Sequence, residues 1–190
     1  MHGEYNEYKS ILKQFLTDKR YYHSLCVADE AYRLAEIYGV DADKAYLAGL
    51  LHDITKNFDK KSHFYIFEEY DVKLNGIEKN AEKLWHAISG SLYVKNVLKI
   101  DDEEIVDAIR YHTTAKANIS LFSKIIYIAD FTSADRDFED IDVIRDLVDQ
   151  SLDKGYKYAL AYTVIDLAKR ELPVHLDTVS AYNEAMSSEV

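Results

Sequence analysis

The stretch Ala45-Tyr46-Leu47-Ala48-Gly49-Leu50-Leu51-His52-Asp53 is an apolar run that ends in two side chains able to bind a metal ion. An apolar helix tail usually ends in a capping or turn residue. An imidazole and a carboxylate are costly to bury there unless a partner binds them, and a metal ion is such a partner. A His-Asp pair on its own proves little, so its weight depends on where the other histidines lie.

The composition around this run favours an all-α fold. One proline, Pro173, and six glycines leave few residues that break a helix, and no segment shows sustained polar–apolar alternation. The length of 190 residues suits one domain, 1–190, arranged as a compact multi-helix bundle. The predicted helices span about 4–16, 21–38, 41–53, 60–70, 84–98, 101–112, 120–131, 142–152 and 156–172, before a short final segment to 186.

Charge and cysteine content exclude several classes of partner. The net charge of −11, from 34 acidic and 23 basic residues, argues against a broad basic face for nucleic acid or an anionic membrane. The single cysteine, Cys26, cannot form an intrachain disulfide, and neither a secretory leader nor a membrane-spanning run is expected. We therefore expect a cytoplasmic protein, in which a small anionic substrate would need local cations such as metal ions.

Further ligand-type residues lie at or near predicted helix ends or inside apolar helices. They are His23, His86, His112 and Asp130. With His52 and Asp53 they form a set of imidazoles and carboxylates without a thiolate, which favours iron, manganese or zinc over a structural Cys-rich zinc site. This set is too large for one ion that keeps a water, and it suits two ions about 3.5–4 Å apart that share a carboxylate.

Each of these residues also has an ordinary structural explanation. A lone histidine on an apolar face is more often a hydrogen-bonded core residue, and Asp130 could be a helix end stabilised by a nearby arginine. One shared metal site nevertheless explains the positions of all these residues better than a separate coincidence for each of them. Three other histidines, His2, His63 and His175, fall outside the pattern. His2 is terminal and His63 begins a polar helix, so we expect these two to face solvent.

The order His23, His52-Asp53, His86, His112, Asp130 resembles that of the HD-domain metal-dependent phosphohydrolases. More narrowly, the chain resembles the YqeK-type symmetrical dinucleoside tetraphosphatases over about residues 20–183. The resemblance rests on the stretches RYYHS (20–24), AGLLHDITK (48–56), RYHTT (110–114), KIIYIAD (124–130) and HLDT (175–178), together with Asn183. It implies an HD-domain bundle with its core at about 20–183 and a di-metal site at its centre.

Two stretches depart from the usual pattern of that family. Ala115 stands where a glycine is expected after Thr113-Thr114. The segment 131–135 lacks the usual acidic residue and Pro-Gly, although Arg136 is kept. Both stretches fall near the expected phosphate-binding loops. We therefore expect them to affect substrate preference and rate more than the class of reaction.

The resemblance also implies a division of the metal ligands and a reaction. One ion would lie on His23, His52 and Asp130, a second on His86 and His112, with Asp53 bridging the two. The resemblance favours iron, and manganese, cobalt or zinc also suit these ligands. The implied reaction is attack of a metal-bound hydroxide at the middle of a four-phosphate bridge, which converts diadenosine tetraphosphate into two ADP.

Several polar residues are candidates for contact with the phosphates. Besides Asp53, the candidate catalytic residues are Lys56, whose ammonium could reach the leaving phosphate, and Arg136, whose guanidinium suits phosphate oxygens. Each has an equally good ordinary explanation, as a solvated lysine and as an ion pair with neighbouring acidic residues. Arg20, Lys56, Thr113, Thr114 and Arg136 form the candidate substrate-binding set, and Tyr111 or Tyr127 could stack on adenine if not occupied in the core.

Other functions remain open at this point. An HD phosphohydrolase acting on a nucleoside monophosphate, a cyclic dinucleotide or an alarmone would use the same ligands. A nucleotide-binding sensor without turnover would fit the altered 131–136 loop, although intact ligands argue against it. A single metal ion without an exchangeable water would serve only to stabilise the fold. The tyrosine-rich composition, with 16 tyrosines, also makes a homodimer possible.

Overall fold

The computed structural model describes residues 5–188, and within that range it contains ten α-helices and no strand. The predicted all-α fold is confirmed, while the predicted helix start at Glu4 and the prediction for His2 lie outside the described residues. The helices are α1 (Asn6–Phe15), α2 (Asp18–Tyr38), α3 (Ala42–Leu51), α4 (Lys60–Glu69), α5 (Glu82–Asn96), α6 (Glu103–Tyr111), α7 (Leu121–Thr132), α8 (Ile141–Gln150), α9 (Leu152–Lys169) and α10 (Leu176–Ser187). A 3₁₀ turn, Glu78–Asn80, precedes α5.

Capping residues fix the helix ends on either side of the decisive run. Gly39 ends α2 with a φ of +75°, a left-handed conformation that glycine adopts at little cost. The Asp41 side chain accepts a hydrogen bond from the Lys44 amide at 2.9 Å and begins α3, as predicted. The Thr17 hydroxyl caps α2 through the Arg20 amide, so α2 begins at Asp18 rather than at the predicted Tyr21.

Other predicted boundaries shift by a few residues. Helix α5 begins at Glu82 instead of Leu84, and α9 runs from Leu152 to Lys169 instead of from 156 to 172. The final segment is a full helix, α10, because the break at Pro173 is followed by a new helix start at which the His175 side chain accepts from the Asp177 amide. Helices α3 and α6 end at Leu51 and Tyr111, so the predicted ends at 53 and 112 were too late. His52, Asp53 and His112 lie just past the helix ends rather than within the helices.

One large cluster of buried apolar side chains contains residues of every helix except α4, which packs with Trp85 and Ile88 in a smaller cluster. Helix α3 lies deep in the larger cluster, because Leu50 and Leu51 are fully buried. Gly49 allows its close approach to α2: an added Cβ would lie 3.0 Å from the Ala28 Cα and 3.0 Å from the Val27 carbonyl oxygen. This packing carries the end of α3 into the centre of the bundle. Within residues 5–188, no helix combines the length and the apolar character needed to cross a membrane.

His63 is not solvent-facing, so that prediction was wrong. Its side chain is buried, its Nδ1 lies 2.8 Å from the Ser89 hydroxyl, and its ring stacks on Phe67 with the edge towards Trp85. The polar residues before it, Lys60 and Lys61, form the outward face of the first turn of α4, whereas His63 lies on the inward face. Sequence neighbours on a helix point in different directions, so their polarity was a poor guide.

We expect Gly49→Ala to destabilise the protein by roughly 1–3 kcal/mol, because the new methyl group meets rigid backbone atoms of α2. This overpacking exceeds the roughly 1 kcal/mol that alanine gains over glycine in a helix. Urea unfolding followed by far-ultraviolet circular dichroism measures the effect. The matched control is Gly76→Ala, where an added Cβ meets nothing within 4 Å. Equal stability of the two variants would contradict the close packing of α2 and α3.

Candidate metal centre

The six predicted ligand residues converge on one place in the centre of the bundle. They come from five helices or their ends: His23 from α2, His52 and Asp53 after α3, His86 from α5, His112 after α6 and Asp130 from α7. The four histidines and Asp53 are buried, whereas the Asp130 side chain keeps 19% of its surface exposed. We call this group the six-residue cluster. Side chains up to 107 residues apart in the sequence therefore share one site.

Two of the histidines occupy the same position relative to their helices. His52 and His112 directly follow α3 and α6, and each uses its Nδ1–H to donate to the carbonyl three residues earlier, Gly49 at 2.6 Å and Ile109 at 2.7 Å. These carbonyls are among the unpaired acceptors at a helix end. Each imidazole thereby caps its own helix and turns its other nitrogen, Nε2, towards the cluster. That tautomer leaves a lone pair for a cation.

The distances between polar atoms divide the cluster into two connected groups. His23 Nε2 lies 2.9 Å from Asp130 Oδ1, and His52 Nε2 lies 3.9 Å from that same oxygen. On the other side, His86 Nε2 lies 3.0 Å from Asp53 Oδ1 and 3.1 Å from His112 Nε2. The Asp53 carboxylate joins the groups, because its other oxygen lies 3.6 Å from His52 Nε2.

The donor atoms fit a bound cation. His52 Nε2 is buried and lacks a hydrogen-bond partner among the described residues, and an orphaned buried acceptor is costly unless a cation satisfies it. Ligand atoms about 2.1 Å from one ion lie roughly 3–4 Å apart. Two triads meet this requirement with all their ligand atoms within 4.8 Å: His23–His52–Asp130 and His52–Asp53–His112.

The protonation states also suit metal binding. Burial lowers the pKa of His52 to about 4 and that of His86 to about 3, so both imidazoles are neutral at pH 7. Burial acts to raise the pKa of Asp53, but the neighbouring histidines hold it well below its ordinary value. Burial likewise acts to raise the pKa of Asp130, but the Arg136 guanidinium together with His23 and His52 holds that pKa well below its ordinary value. Neutral imidazoles and ionised carboxylates are the forms that bind metal ions.

The three predicted cationic residues all contact the cluster. Arg20 Nη1 lies 3.2 Å from Asp53 Oδ2, and Lys56 Nζ lies 3.3 Å from Asp53 Oδ1 and 2.9 Å from His86 Nε2. Arg136 pairs with the carboxylate of Asp130 and also donates to its backbone carbonyl at 2.7 Å. The acidic neighbours of Arg136 in the sequence are not its partners. A protein of net charge −11 thus concentrates positive charge at this site.

One residue at the site was missed by the sequence analysis. Asp135 Oδ2 accepts from His23 Nδ1 at 2.8 Å, while its other oxygen accepts from the Ser133 hydroxyl at 2.8 Å. Arg145 supports this loop by donating to the carbonyl oxygens of Thr132 and Ser133 at 3.1 and 2.9 Å. The only signal in the sequence was an aspartate inside the segment that departs from the family pattern. Spacing alone did not connect it to a histidine 112 residues away.

The threonines after His112 lie beside the cluster. Thr114 is buried, its hydroxyl donates to the Ala115 carbonyl at 2.9 Å, and its own carbonyl accepts from Thr178. The Thr113 hydroxyl is buried without a partner in the described part of the chain. Ala115, at the position where a glycine was expected, is buried with a φ of +54°, a conformation that costs a residue with a Cβ about 1–2 kcal/mol. Ala115 therefore adopts a backbone conformation that a glycine would reach at less cost.

The tyrosines considered for base stacking have partners in the protein. Tyr127 is buried against Tyr156 and Phe131, and its hydroxyl lies 3.3 Å from Thr163 Oγ1, so its assignment to the core is confirmed. Tyr111 is half-buried beneath the charged groups of Arg110 and Lys116, at 4.9 and 4.4 Å from its ring centre. Neither ring contacts the six-residue cluster.

A cavity of about 250 Å³ borders the cluster at His86, and Lys56 also lines it. Lys60 and Lys83 also line it, so this opening is rich in positive charge. A separate cavity of about 640 Å³ beside α4 and the end of α5 has no member of the cluster in its lining. Of these two cavities, only the lysine-lined one includes a member of the cluster.

Comparisons with known proteins agree with this geometry. The family model described as HD domain matches residues 20–135. Proteins from Bacillus subtilis and Halalkalibacterium halodurans, both named symmetrical bis(5'-nucleosyl)-tetraphosphatase, are 35% and 34% identical over 93% of this chain and 94% of their own. A crystal structure from Clostridium acetobutylicum, described as a predicted HD superfamily hydrolase involved in NAD metabolism, has a TM-score of 0.94 at 35% identity over 98% of both chains.

We expect Arg136→Met to destabilise the metal-free protein by roughly 2–4 kcal/mol, because it leaves Asp130 without its compensating charge. The value lies towards the lower end for buried pairs, since a third of the Arg136 side chain is exposed. Urea denaturation in a chelator measures it. The matched control is Arg170→Met, which removes a surface pair with Asp166 and is expected to cost under about 0.5 kcal/mol. Equal costs would mean that Asp130 does not depend on Arg136.

Proposed function

The chain belongs to the HD domain family, and from this premise we propose that it is a metal-dependent hydrolase that cleaves dinucleoside tetraphosphates symmetrically. Diadenosine tetraphosphate would yield two ADP. The observation that carries the proposal is the convergence of four imidazoles and two carboxylates whose free atoms face one another in a cation-rich centre. The names of relatives that match 93% of the chain support the choice of substrate.

The proposed metal ligands follow the two connected groups of the cluster. His23, His52 and Asp130 would hold one ion, His86 and His112 a second, and Asp53 would bridge them. When bound, two such ions lower the pKa of a shared water and balance the charge of a phosphate chain. Iron is our proposal for the metal, and manganese, cobalt and zinc are alternatives with the same ligand preferences.

The cationic side chains would bind and orient the phosphates. Lys56 lies at the opening of the cluster, where its Nζ can donate to an oxygen of the leaving diphosphate. Arg136 and Arg20 present guanidinium groups that suit phosphate oxygens, and each already contacts a carboxylate of the cluster. Positive charge placed in advance stabilises the negative charge that develops on the leaving group at little cost in reorganisation. Of the two threonines, Thr113 is the better placed for substrate, because its hydroxyl has no other partner.

The cellular location and the oligomeric state of the enzyme also belong to the proposal. A cytoplasmic location fits a nucleotide substrate and the buried free thiol of Cys26. The homodimer considered from composition remains a prediction, which light scattering of the purified protein would test.

Metal-loaded protein is expected to convert diadenosine tetraphosphate into ADP alone, as resolved by anion-exchange chromatography. Asp53→Asn should lower this activity more than about 100-fold, beyond the loss seen when a residue outside the coordination sphere is changed. It should also lower the bound metal measured by elemental analysis. The control is Asp43→Asn, which changes an exposed aspartate in the first turn of α3. This variant should retain both the hydrolytic activity and the bound metal.

The products distinguish this proposal from its alternatives. AMP and ATP in equal amounts would mean asymmetric attack and would contradict the proposal. Hydrolysis of a monophosphate, a cyclic dinucleotide or an alarmone in preference to the tetraphosphate would assign another substrate. Tight nucleotide binding without any product would identify a sensor.

Asp135 is expected to position His23 for metal binding. Asp135→Asn should weaken metal affinity by about 10–100-fold, because a neutral amide oxygen is a weaker acceptor for His23 Nδ1–H than the carboxylate and holds Nε2 towards Asp130 less firmly. Isothermal titration with Mn²⁺ measures the change independently of turnover. The control is Asp137→Asn, exposed in the same loop. Unchanged affinity in Asp135→Asn would show that Asp135 only braces the loop.

A further inference from the structure

Three buried polar side chains form a hydrogen-bonded chain beside the six-residue cluster. His63 Nδ1 of α4 lies 2.8 Å from the Ser89 hydroxyl of α5, and that hydroxyl lies 2.8 Å from the hydroxyl of Thr55. The Thr55 hydroxyl donates to the backbone carbonyl of His86 at 3.0 Å. We call His63, Ser89 and Thr55 the polar chain. It connects α4, α5 and the turn that follows α3.

The polar chain ends at the two segments that bring Lys56 and His86 together. Thr55 directly precedes Lys56 and follows the candidate ligand Asp53 by two residues, in a turn closed by a hydrogen bond of 2.8 Å from the Lys56 amide to the Asp53 carbonyl. The Thr55 bond to the His86 carbonyl therefore fixes this turn against α5. At the same place, Lys56 Nζ lies 2.9 Å from His86 Nε2. The separation of these two side chains thus depends on the polar chain.

His63 closes the outer end of the polar chain. Thr55 and Ser89 are fully buried, and His63 is 5% exposed, between the rings of Phe67 and Trp85. Burial lowers the pKa of His63, so its ring is neutral at pH 7 and adds no charge beside the lysines of the 250 Å³ cavity that it lines.

The Ser89 hydroxyl has a competing partner, because its oxygen also lies 3.0 Å from the Trp85 carbonyl on the same helix. Without His63, this hydroxyl is free to turn towards Trp85 and away from Thr55. The bond of Ser89 to its own helix would then remain, while the link to the turn after α3 would weaken. His63 therefore decides whether Ser89 connects the two segments.

We propose that His63 is a positioning residue, which acts through Ser89 and Thr55 to hold the Lys56 ammonium and His86 in register for hydrolysis. The inference deepens the proposed function and rests on it, since that function gives Lys56 its contact with the leaving diphosphate. A misplacement of about 1 Å caused far from the reacting atoms can cost roughly 100-fold in rate. His63 thereby gains a task although it is neither a candidate ligand nor a candidate phosphate contact.

The first test is His63→Leu, which removes the hydrogen bond to Ser89 and keeps an apolar side chain between the two aromatic rings. At saturating metal, kcat for diadenosine tetraphosphate should fall about 10–100-fold, while KM stays within about twofold because Arg20 and Arg136 are untouched. Isothermal titration with Mn²⁺ gives a second readout that does not require turnover. The affinity should fall roughly three- to tenfold, less than for a residue bonded directly to a ligand.

His63→Asn is the conservative variant. Its amide places a donor or an acceptor near the position of Nδ1, so it can restore the bond to Ser89 and should keep kcat and Mn²⁺ affinity within about threefold of the wild type. The matched control is Phe67→Leu, which removes the ring stacked on His63 and leaves the polar chain intact. It should lower the urea midpoint without lowering kcat.

A double variant tests whether the residues act as one unit. Ser89→Ala interrupts the polar chain at its middle, so His63→Leu combined with Ser89→Ala should lose no more kcat than the more damaging single change. Losses that multiply would overturn the proposal. So would an equal loss of kcat in Phe67→Leu, no recovery in His63→Asn, or unchanged kcat and Mn²⁺ affinity in His63→Leu. Wild-type protein that binds Mn²⁺ without cleaving the tetraphosphate would contradict the proposed function instead, and the Mn²⁺ affinities of the variants would still decide whether His63 positions His86.

Discussion

The structure depends on the compensation of two carboxylates, Asp53 and Asp130, inside a helical bundle. An ionised carboxylate without partners in such a place would cost several kcal/mol or would take up a proton. Here each has an arginine within contact distance, Arg20 and Arg136, and each faces imidazole nitrogens. The same positive groups would meet the phosphates of a substrate. Stability of the folded bundle and recognition of an anion therefore depend on one set of charges.

The helix ends that bring histidines to this site solve two problems at once. Helices α3 and α6 stop inside the bundle, where their last carbonyls would be left without donors. His52 and His112 satisfy one carbonyl each and keep Nε2 free to face the cluster. This explains why apolar helices end in histidine here rather than in glycine or asparagine. The capping bond also fixes the tautomer, so the local fold prepares the chemistry of the ring.

The segments that depart from the family pattern are held by specific contacts within this chain. Ala115 adopts a left-handed backbone conformation that a glycine would adopt at little cost, and it remains buried. In the 131–136 segment, Arg145 holds two backbone carbonyls and Asp135 holds the Nδ1 of His23. The substitutions therefore leave the ligand side chains in place. Their effect falls on the loop surface that a substrate would meet.

Much of the protein could be predicted from the sequence because its signals are local or carried by spacing. Sparse helix breakers, apolar periodicity and caps such as Asp41 determined the all-α fold, and the order of histidines and aspartates pointed to a shared site. The burial of His63 and the role of Asp135 did not follow, because each depends on a partner from a distant part of the chain or on the face a residue presents. The start of α2 was placed too late although its cap, Thr17, is local. The sequence by itself determined which residues could bind cations. Only the tertiary structure decided which atoms face one another, because hydrogen bonds across α2, α3 and the 131–136 loop set the orientation of each ring, and packing between helices forms the cavities.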